Sequence, residues 1–150
     1  MVAQDHALYQ NLGRNELRKT EMATPTETVM AFLAMLEQPG GFAAGVRAFF
    51  TDKTNYINVG MSDTTGIEQT LAFIEGFEGA TGATVLRVDM LAIAEVGNKV
   101  LTERIDHLLA ADGTTVMSLA VMGIFEVEGG KLTAWRDYFD TAGIAGAMAG

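Results

Sequence analysis

The sequence lacks several residue types and motifs that would each indicate a particular chemistry. It contains no cysteine, which excludes disulfide bonds and catalysis by a thiolate. Its two histidines, His6 and His107, are too few for a histidine-rich metal cluster, so we predict no metal site. It has neither a G-x-S-x-G elbow for a nucleophilic serine nor a glycine-rich phosphate-binding loop.

Basic residues are also scarce, and no long apolar run is present. Ten Lys and Arg against 19 Asp and Glu give a formal net charge of −9, which argues against nucleic acid and gives no reason to expect an anionic membrane as partner. No apolar run reaches the roughly 20 residues that span a bilayer. The N-terminus has no apolar signal region. We therefore predict a cytoplasmic protein.

The length and composition indicate a single folded domain. The chain has 150 residues, of which 49% are hydrophobic, enough for one substantial core. Residues 1–23 are polar and of mixed charge, and we interpret them as a partly ordered N-terminal leader. We assign residues 24–150 to the single domain, because the sequence has no internal repeat and no low-complexity linker.

Three helices are predicted in the first half of the chain. "TPTETVMAFLAML" begins with Thr24 as a cap, Pro25 in the first turn and Glu27 completing a capping box, and "QPGG" ends it. "FAAGVRAFF" and "TGIEQTLAFIEGFEG" are the other two candidates. The strand candidate "TNYINVG" lies between them and is followed by a short, glycine-bearing loop.

From residue 83 onward the pattern changes to long strands joined by tight turns. The four runs, separated by Gly97-Asn98, "ADGTT" and "GGK", are "ATVLRVDMLAIAEV", "KVLTERIDHLLA", "VMSLAVMGIFEVE" and "LTAWRDYFD". Helices followed by an antiparallel meander indicate an α+β fold in which a curved sheet wraps around helices. The small, apolar tail "TAGIAGAMAG" is expected to cover the mouth of the space that the sheet encloses.

Three of the predicted strands, "TNYINVG" among them, carry polar or aromatic pairs at positions i and i+2, which share one face of a strand. The pairs are Tyr56 and Asn58, Arg104 and Asp106, and Trp135 and Asp137. Each pair alone is most simply explained by a solvated face or a weak surface ion pair. His107 and Arg136 point to the opposite face and are given no role.

The balance of charges favours a functional site over a solvent-exposed face. If all three pairs project into one apolar cavity, two carboxylates accompany a single guanidinium. Burying the unmatched charge is costly, and the usual relief is for one carboxyl to take up a proton. One acid and one base at neutral pH are what general acid–base catalysis requires. The spacing alone leaves open which aspartate is which.

"YINVG", "LTERIDHL" and "VMGIFEVEGGKLTAWRDYFD" together resemble the limonene-1,2-epoxide hydrolase family, over roughly residues 25–140. The resemblance implies an NTF2-like (cystatin-like), cone-shaped fold, with a curved, mixed six-stranded sheet around three to four helices. It also implies a homodimer that needs no cofactor.

The resemblance also implies a role for each matching residue. Asp137 matches the base and Asp106 the acid, with Arg104 between them, while Tyr56 and Asn58 match the residues that hold the hydrolytic water. The positions that match the pocket wall, and so are expected to bind substrate, are Trp135, Leu108, Leu119, Val121, Phe139, Ile74, Leu33 and Leu36.

The implied function is addition of water to an apolar epoxide, terpene-like or cyclic, to give a vicinal diol. One step of general acid–base catalysis would suffice, without a covalent intermediate. Limonene itself is not assumed, because the loop after Asn58 departs from the family pattern. The alternatives are an enzyme like ketosteroid isomerase or polyketide cyclase, or a non-catalytic domain that binds small molecules.

Overall fold

The computed structural model describes residues 23–144. The predicted leader therefore lies, except for its last residue, outside the described residues, as does the tail beyond residue 144. Within residues 23–144, no helix is long and apolar enough to cross a membrane.

Three helices precede or interrupt the first strands, as predicted. They are α1 (Pro25–Leu36), α2 (Gly41–Phe49) and α3 (Ile67–Thr81). The capping box at the start of α1 forms: the Glu27 backbone N–H donates to Thr24 Oγ1 at 3.1 Å, and Pro25 occupies the first turn.

Six strands form one sheet. They are β1 (Phe50–Asn58), β2 (Ser62–Thr65), β3 (Ala83–Val96), β4 (Lys99–Ala110), β5 (Thr115–Glu128) and β6 (Lys131–Tyr138). Their order is β2-β1-β6-β5-β4-β3, and only the β1–β6 pair is parallel. The predicted α+β class, with a curved, mixed six-stranded sheet, is thus confirmed, and β3 to β6 form the expected antiparallel meander.

Strand β2 lies where the sequence indicates a loop. Gly60, at φ +82°, permits the tight reversal, and the Met61 backbone N–H donates to the Asn58 carbonyl at 2.8 Å. The returning chain pairs antiparallel with β1, and Ser62 stands opposite Asn58. β2 has only four residues and no buried side chain, so it carries no apolar pattern from which a strand could be predicted.

The core lies between the helices and one face of the sheet, and aromatic side chains dominate its centre. Trp135 stacks on Tyr56 and on Phe125, with ring centroids 4.2 and 5.1 Å apart, and Phe32 of α1 meets its edge at 5.3 Å. This cluster fixes the rings of Trp135 and Tyr56, which stand beside the polar residues described next.

Candidate active site

The strand register brings the predicted polar residues into one row across four strands. Asn58 of β1 pairs with Asp137 of β6, Asp137 pairs with Gly123 of β5, and Gly123 pairs with Thr102 of β4. Arg104 follows Thr102 on the same face of β4. Because neighbouring strands lie about 4.8 Å apart, such a row places its side chains within reach of one another.

Arg104 is the centre of the cluster and is completely buried. Its Nε and Nη2 donate to the two carboxylate oxygens of Asp106 at 2.9 and 2.8 Å. Its Nη2 and Nη1 donate to the two oxygens of Asp137 at 2.9 and 3.2 Å. One nitrogen thus contacts both carboxylates, so the two acids lie on the same side of the sheet and within a few ångströms of each other.

Gly123 provides the space in which Arg104 and Asp137 meet. A Cβ at this position would overlap with Asp137 Oδ1 and Arg104 Nη1, and would lie 3.2 Å from Thr102 Oγ1. Thr102 fills the remaining gap, because its hydroxyl accepts from Arg104 Nη1 at 2.9 Å and donates to the Gly123 carbonyl at 3.0 Å. All five donors of the guanidinium therefore point at acceptors.

Burial and charge control the protonation of this cluster. Burial raises the pKa of Asp137 above its ordinary value, against the opposing charge and hydrogen bonds of Arg104. Burial alone would lower the pKa of Arg104, but its hydrogen bonds and charge interactions with Asp106 and Asp137 outweigh that effect, so the pKa lies above its usual range and the guanidinium stays charged. With one cation and two carboxyls, the group is neutral when it holds one additional proton.

The third polar pair, Tyr56 and Asn58, stands at the edge of the cluster. Tyr56 Oη donates to Asn58 Oδ1 at 3.3 Å, and Asn58 Nδ2 donates to Ser62 Oγ at 2.9 Å. Burial, helped by the charge of Asp137, raises the pKa of Tyr56 far above its ordinary value, so the phenol keeps its proton. Trp135 Nε1 donates to Asp137 Oδ1 at 2.7 Å.

An open cavity, lined mostly by apolar side chains, leads to this cluster, and Tyr56, Asn58, Asp106 and Asp137 line its polar end. Six of the eight residues predicted as pocket wall line the same cavity: Trp135, Leu108, Leu119, Val121, Phe139 and Ile74.

The prediction was wrong for Leu33 and Leu36. Both are buried in the main hydrophobic core, and neither belongs to the described residues that line the cavity. Helical spacing identifies the apolar face of α1, but it does not say whether that face meets other core side chains or the cavity.

Several cavity residues were missed from the sequence. They are Phe42, Met61, Phe73, Phe77, Glu78, Ile144 and the strand segment 83–86. The helical spacing of α3 was an available signal, since Phe77 lies three residues after Ile74 and four after Phe73 and so neighbours both on the helix surface. Ile144 lies in the described part of the tail, which was expected to cover the mouth of the cavity.

His107 and Arg136 lie on the opposite face of the sheet, as predicted. His107 contacts Asp89 and Ser118 at 2.8 and 2.7 Å, and Arg136 forms an ion pair with Glu126 at 2.7 Å. Within residues 23–144, no group of three or more potential metal ligands is present.

Comparisons with known proteins identify the family of this chain. The protein-family model of the limonene-1,2-epoxide hydrolase catalytic domain matches residues 23–149 of this chain. Epoxide hydrolase EphG of Mycobacterium tuberculosis is 38% identical over 95 residues, which span 63% of this chain and 60% of that protein. The aligned part is thus less than two thirds of that relative's length.

Solved structures share the fold. An M. tuberculosis LEH-like epoxide hydrolase superposes with a TM-score of 0.63 and 32% identity, over 81% of this chain and 86% of that one. A putative SnoaL-like polyketide cyclase from Jannaschia sp. CCS1 superposes with a TM-score of 0.65 and 18% identity, over 83% and 91% of the two chains. At that identity the second likeness concerns the fold alone.

Proposed function

Because this chain belongs to the limonene-1,2-epoxide hydrolase family, we propose that it adds water to an apolar epoxide, terpene-like or cyclic, and releases a vicinal diol. The observation that carries the proposal is the pair of buried carboxylates, Asp106 and Asp137, held by one arginine at the end of an apolar cavity. No cofactor takes part in the proposed reaction.

The reaction proceeds in one step. Asp137 removes a proton from a water molecule as the water oxygen bonds to an epoxide carbon. The ring C–O bond breaks at that carbon, and Asp106 donates a proton to the departing oxygen. The two transfers cooperate, because the ring opens readily when the alkoxide is neutralised as it forms. The product leaves Asp137 protonated and Asp106 ionised, and proton exchange restores the starting state.

The hydrogen bonds support assigning the base to Asp137 and the acid to Asp106. Asp137 accepts three of them, two from Arg104 and one from Trp135, whereas Asp106 accepts two from Arg104. Additional donors favour the charged form of Asp137 and so oppose the effect of burial on its pKa. The raised pKa of Asp137 also suits a base, because it strengthens the affinity of the carboxylate for the water proton.

Tyr56 and Asn58 would hold the attacking water beside Asp137. The register places Asn58 directly opposite Asp137 on the neighbouring strand. When the water binds, the protonated phenol of Tyr56 would turn its O–H from Asn58 Oδ1 to the water oxygen, and Asn58 Oδ1 would accept the water proton that does not go to Asp137. A water held by three partners presents its lone pair in one direction.

Diol formation tests the proposed function. A panel of racemic terpene, cycloalkene and styrene-type epoxides is incubated with the protein, and the vicinal diol is quantified by mass spectrometry; a Δ5-ketosteroid serves as substrate for the isomerase alternative. We expect diol from at least one epoxide and no conjugated ketone. Conjugation of the steroid without any diol would favour the isomerase, and ligand binding without turnover of either would favour a binding domain.

Ser62 is a positioning residue in this proposal, because its hydroxyl restrains the amide of Asn58. We expect Ser62→Ala to lower kcat about threefold to tenfold, the effect of losing one neutral hydrogen bond, with KM little changed. Ser62→Thr keeps the hydroxyl and should restore kcat. The measurement is steady-state kinetics on the best epoxide.

The matched control for Ser62 is Asp63→Ala. Asp63 lies on the same short strand, but its carboxylate accepts from Asn55 Nδ2 at 2.7 Å on the side away from the cavity. If Asp63→Ala lowers kcat as much as Ser62→Ala, the effect comes from loosening β2 and the positioning role is wrong.

We also propose that the protein is a homodimer. The outer face of the sheet carries exposed apolar side chains, with Leu101 39%, Met122 52% and Tyr138 49% exposed. Met122 and Tyr138 are register partners, so they form one continuous patch. Sedimentation velocity should give the mass of two chains, and Met122→Lys should shift it to that of one.

A further inference from the structure

The cavity has polar groups at two ends, and the reaction described above uses only one of them. Six described residues that line the cavity carry a charged, amide or hydroxyl side chain. Tyr56, Asn58, Asp106 and Asp137 form the group that the reaction uses, and Glu78 and Thr84 lie outside that group. The remaining lining residues are apolar or aromatic.

The strand register puts Thr84 far from the reacting groups. Asp106 pairs with Val88 of β3, and Thr84 lies four residues before Val88. At about 3.3 Å per residue, the two positions are separated by roughly 13 Å along the strand. Glu78 belongs to the last turns of α3, which ends three residues before Thr84, and therefore stands at the same end.

Thr84 faces the cavity beside a β-bulge. Val85 pairs with Leu109 and Ala83 with Ala110, so Thr84 is the additional residue on its strand. Thr84 lies two and four residues before Leu86 and Val88, so the three share one face of the strand. Leu86 and Val88 pair with Leu108 and Asp106, which line the cavity. Because the bulge interrupts the alternation, all four residues of 83–86 line the cavity. Bulges beside sites commonly redirect one side chain in this way.

One of the two polar groups at this end has no hydrogen-bond partner in the described part of the protein. Thr84 Oγ1 is the buried side-chain oxygen without a hydrogen-bond partner among the described residues. Such an orphaned group is costly unless a ligand or water completes it. Glu78 is partly buried, and burial together with the neighbouring Glu75 raises its pKa.

We propose that Thr84 and Glu78 form a second binding point, which recognises a hydrogen-bond donor, a hydroxyl above all, at the far end of an elongated apolar epoxide. This inference rests on the proposed function and narrows its substrate class. A hydroxyl donates to Glu78 and accepts from Thr84, whereas a substrate carboxylate at that end is repelled by Glu78. An epoxide with a methyl group there gains neither contact.

Three matched substrates test the proposal. Each is a terminal epoxide on a straight chain of about ten carbons, and the other end is a methyl group, a primary alcohol or a carboxylate. For the unmodified protein we expect the lowest KM for the alcohol. Thr84→Val and Glu78→Gln should each raise the ratio of the KM for the alcohol to the KM for the methyl epoxide between about twofold and about tenfold. Glu78→Gln should also lower KM for the carboxylate.

Thr115→Val is the control, because it makes the same hydroxyl-to-methyl change at an exposed position of β5 outside the cavity. Equal alcohol-to-methyl KM ratios in the unmodified protein, Thr84→Val and Glu78→Gln would overturn the proposal. So would an equal loss in the Thr115→Val control.

A binding readout separates this inference from the proposed reaction. Trp135 is the single tryptophan of the chain and lines the cavity, so its fluorescence reports occupancy. Titration of Asp106→Asn with the intact epoxides should give a lower Kd for the alcohol than for the methyl compound, and Thr84→Val in that background should abolish the difference. If no epoxide is hydrolysed but this difference in Kd remains, the proposed hydrolysis is wrong and the second binding point is still supported. Equal Kd values for the two epoxides would overturn the second binding point alone.

Discussion

We expect replacement of either Asp106 or Asp137 with asparagine to lower kcat for epoxide hydrolysis by between about a hundredfold and about ten-thousandfold. That range is what a positioned general acid or base contributes. Asparagine keeps the size of the side chain and still accepts a hydrogen bond from Arg104, but it can neither take the proton of the water nor give one to the epoxide oxygen. The measurement is steady-state diol formation for each variant.

The fold persists in both variants for reasons of charge. Each substitution leaves one carboxylate opposite one guanidinium, so the buried cluster remains neutral without an added proton. Because burial raises the pKa of Asp137, the folded state favours the protonated form of this carboxyl. The stability that this protonation contributes is lost as the pH rises through the folded pKa. We therefore expect the thermal midpoint of Asp137→Asn near pH 7 to match or exceed that of the unmodified protein.

Asp89→Asn is the matched control for both variants. Asp89 lies on the opposite face of the sheet, where it contacts His107. Its replacement removes the same kind of charge without touching the cavity, and diol formation should stay within twofold of the unmodified rate, a margin of about 0.4 kcal/mol. Full activity in Asp106→Asn or Asp137→Asn would end the assignment of that residue.

Gly123→Ala should damage activity nearly as severely while adding a single methyl group. The new Cβ would overlap with Asp137 Oδ1 and Arg104 Nη1, so the ion pair must open or shift. Misplacing a reacting group by about an ångström costs on the order of a hundredfold in rate. Overpacking of a tight interior also costs about 1–3 kcal/mol of stability. Kinetics and denaturant unfolding on the same preparation measure both effects.

Gly76→Ala is the control for Gly123→Ala. It makes the same change in α3, where an added Cβ meets no atom within 4 Å. Alanine in a helix interior is favoured over glycine by about 1 kcal/mol, so this variant should be more stable and equally active. If Gly123→Ala retains full activity, the close contact of Arg104 with Asp137 is not needed for the reaction.

Strand alternation accounts for how much of the site could be predicted. Tyr56, Asn58, Arg104, Asp106 and Asp137 each belong to a run in which every second residue faces the same way, and the period of two depends on the backbone alone. Their side chains therefore share the concave face, as the sequence indicates. The mixed order of the six strands came from the family resemblance, because nothing in the pattern of β1 shows that it runs parallel to β6.

The residues that sequence reasoning missed depend on register and close packing. Gly123 matters only because β5 passes between Asp137 and Thr102, and Ser62 only because a tight turn returns it to Asn58. Thr84 lies at a bulge beside which all four residues of 83–86 line the cavity, and alternation does not predict this. These contacts depend on segments that are distant in sequence or on local irregularities of a strand. A pattern of apolar positions therefore does not predict them.

The central claim is that water attacks the epoxide directly, with Asp137 as base and Asp106 as acid. A single turnover in H₂¹⁸O, with the protein in excess over the best epoxide, tests it by mass spectrometry of the diol and of the peptides that contain the two aspartates. We predict one ¹⁸O in every diol molecule of that first turnover and none in either carboxylate. A first-turnover diol without ¹⁸O, followed by label in Asp106 or Asp137, would show that a carboxylate attacks the ring and would contradict the account.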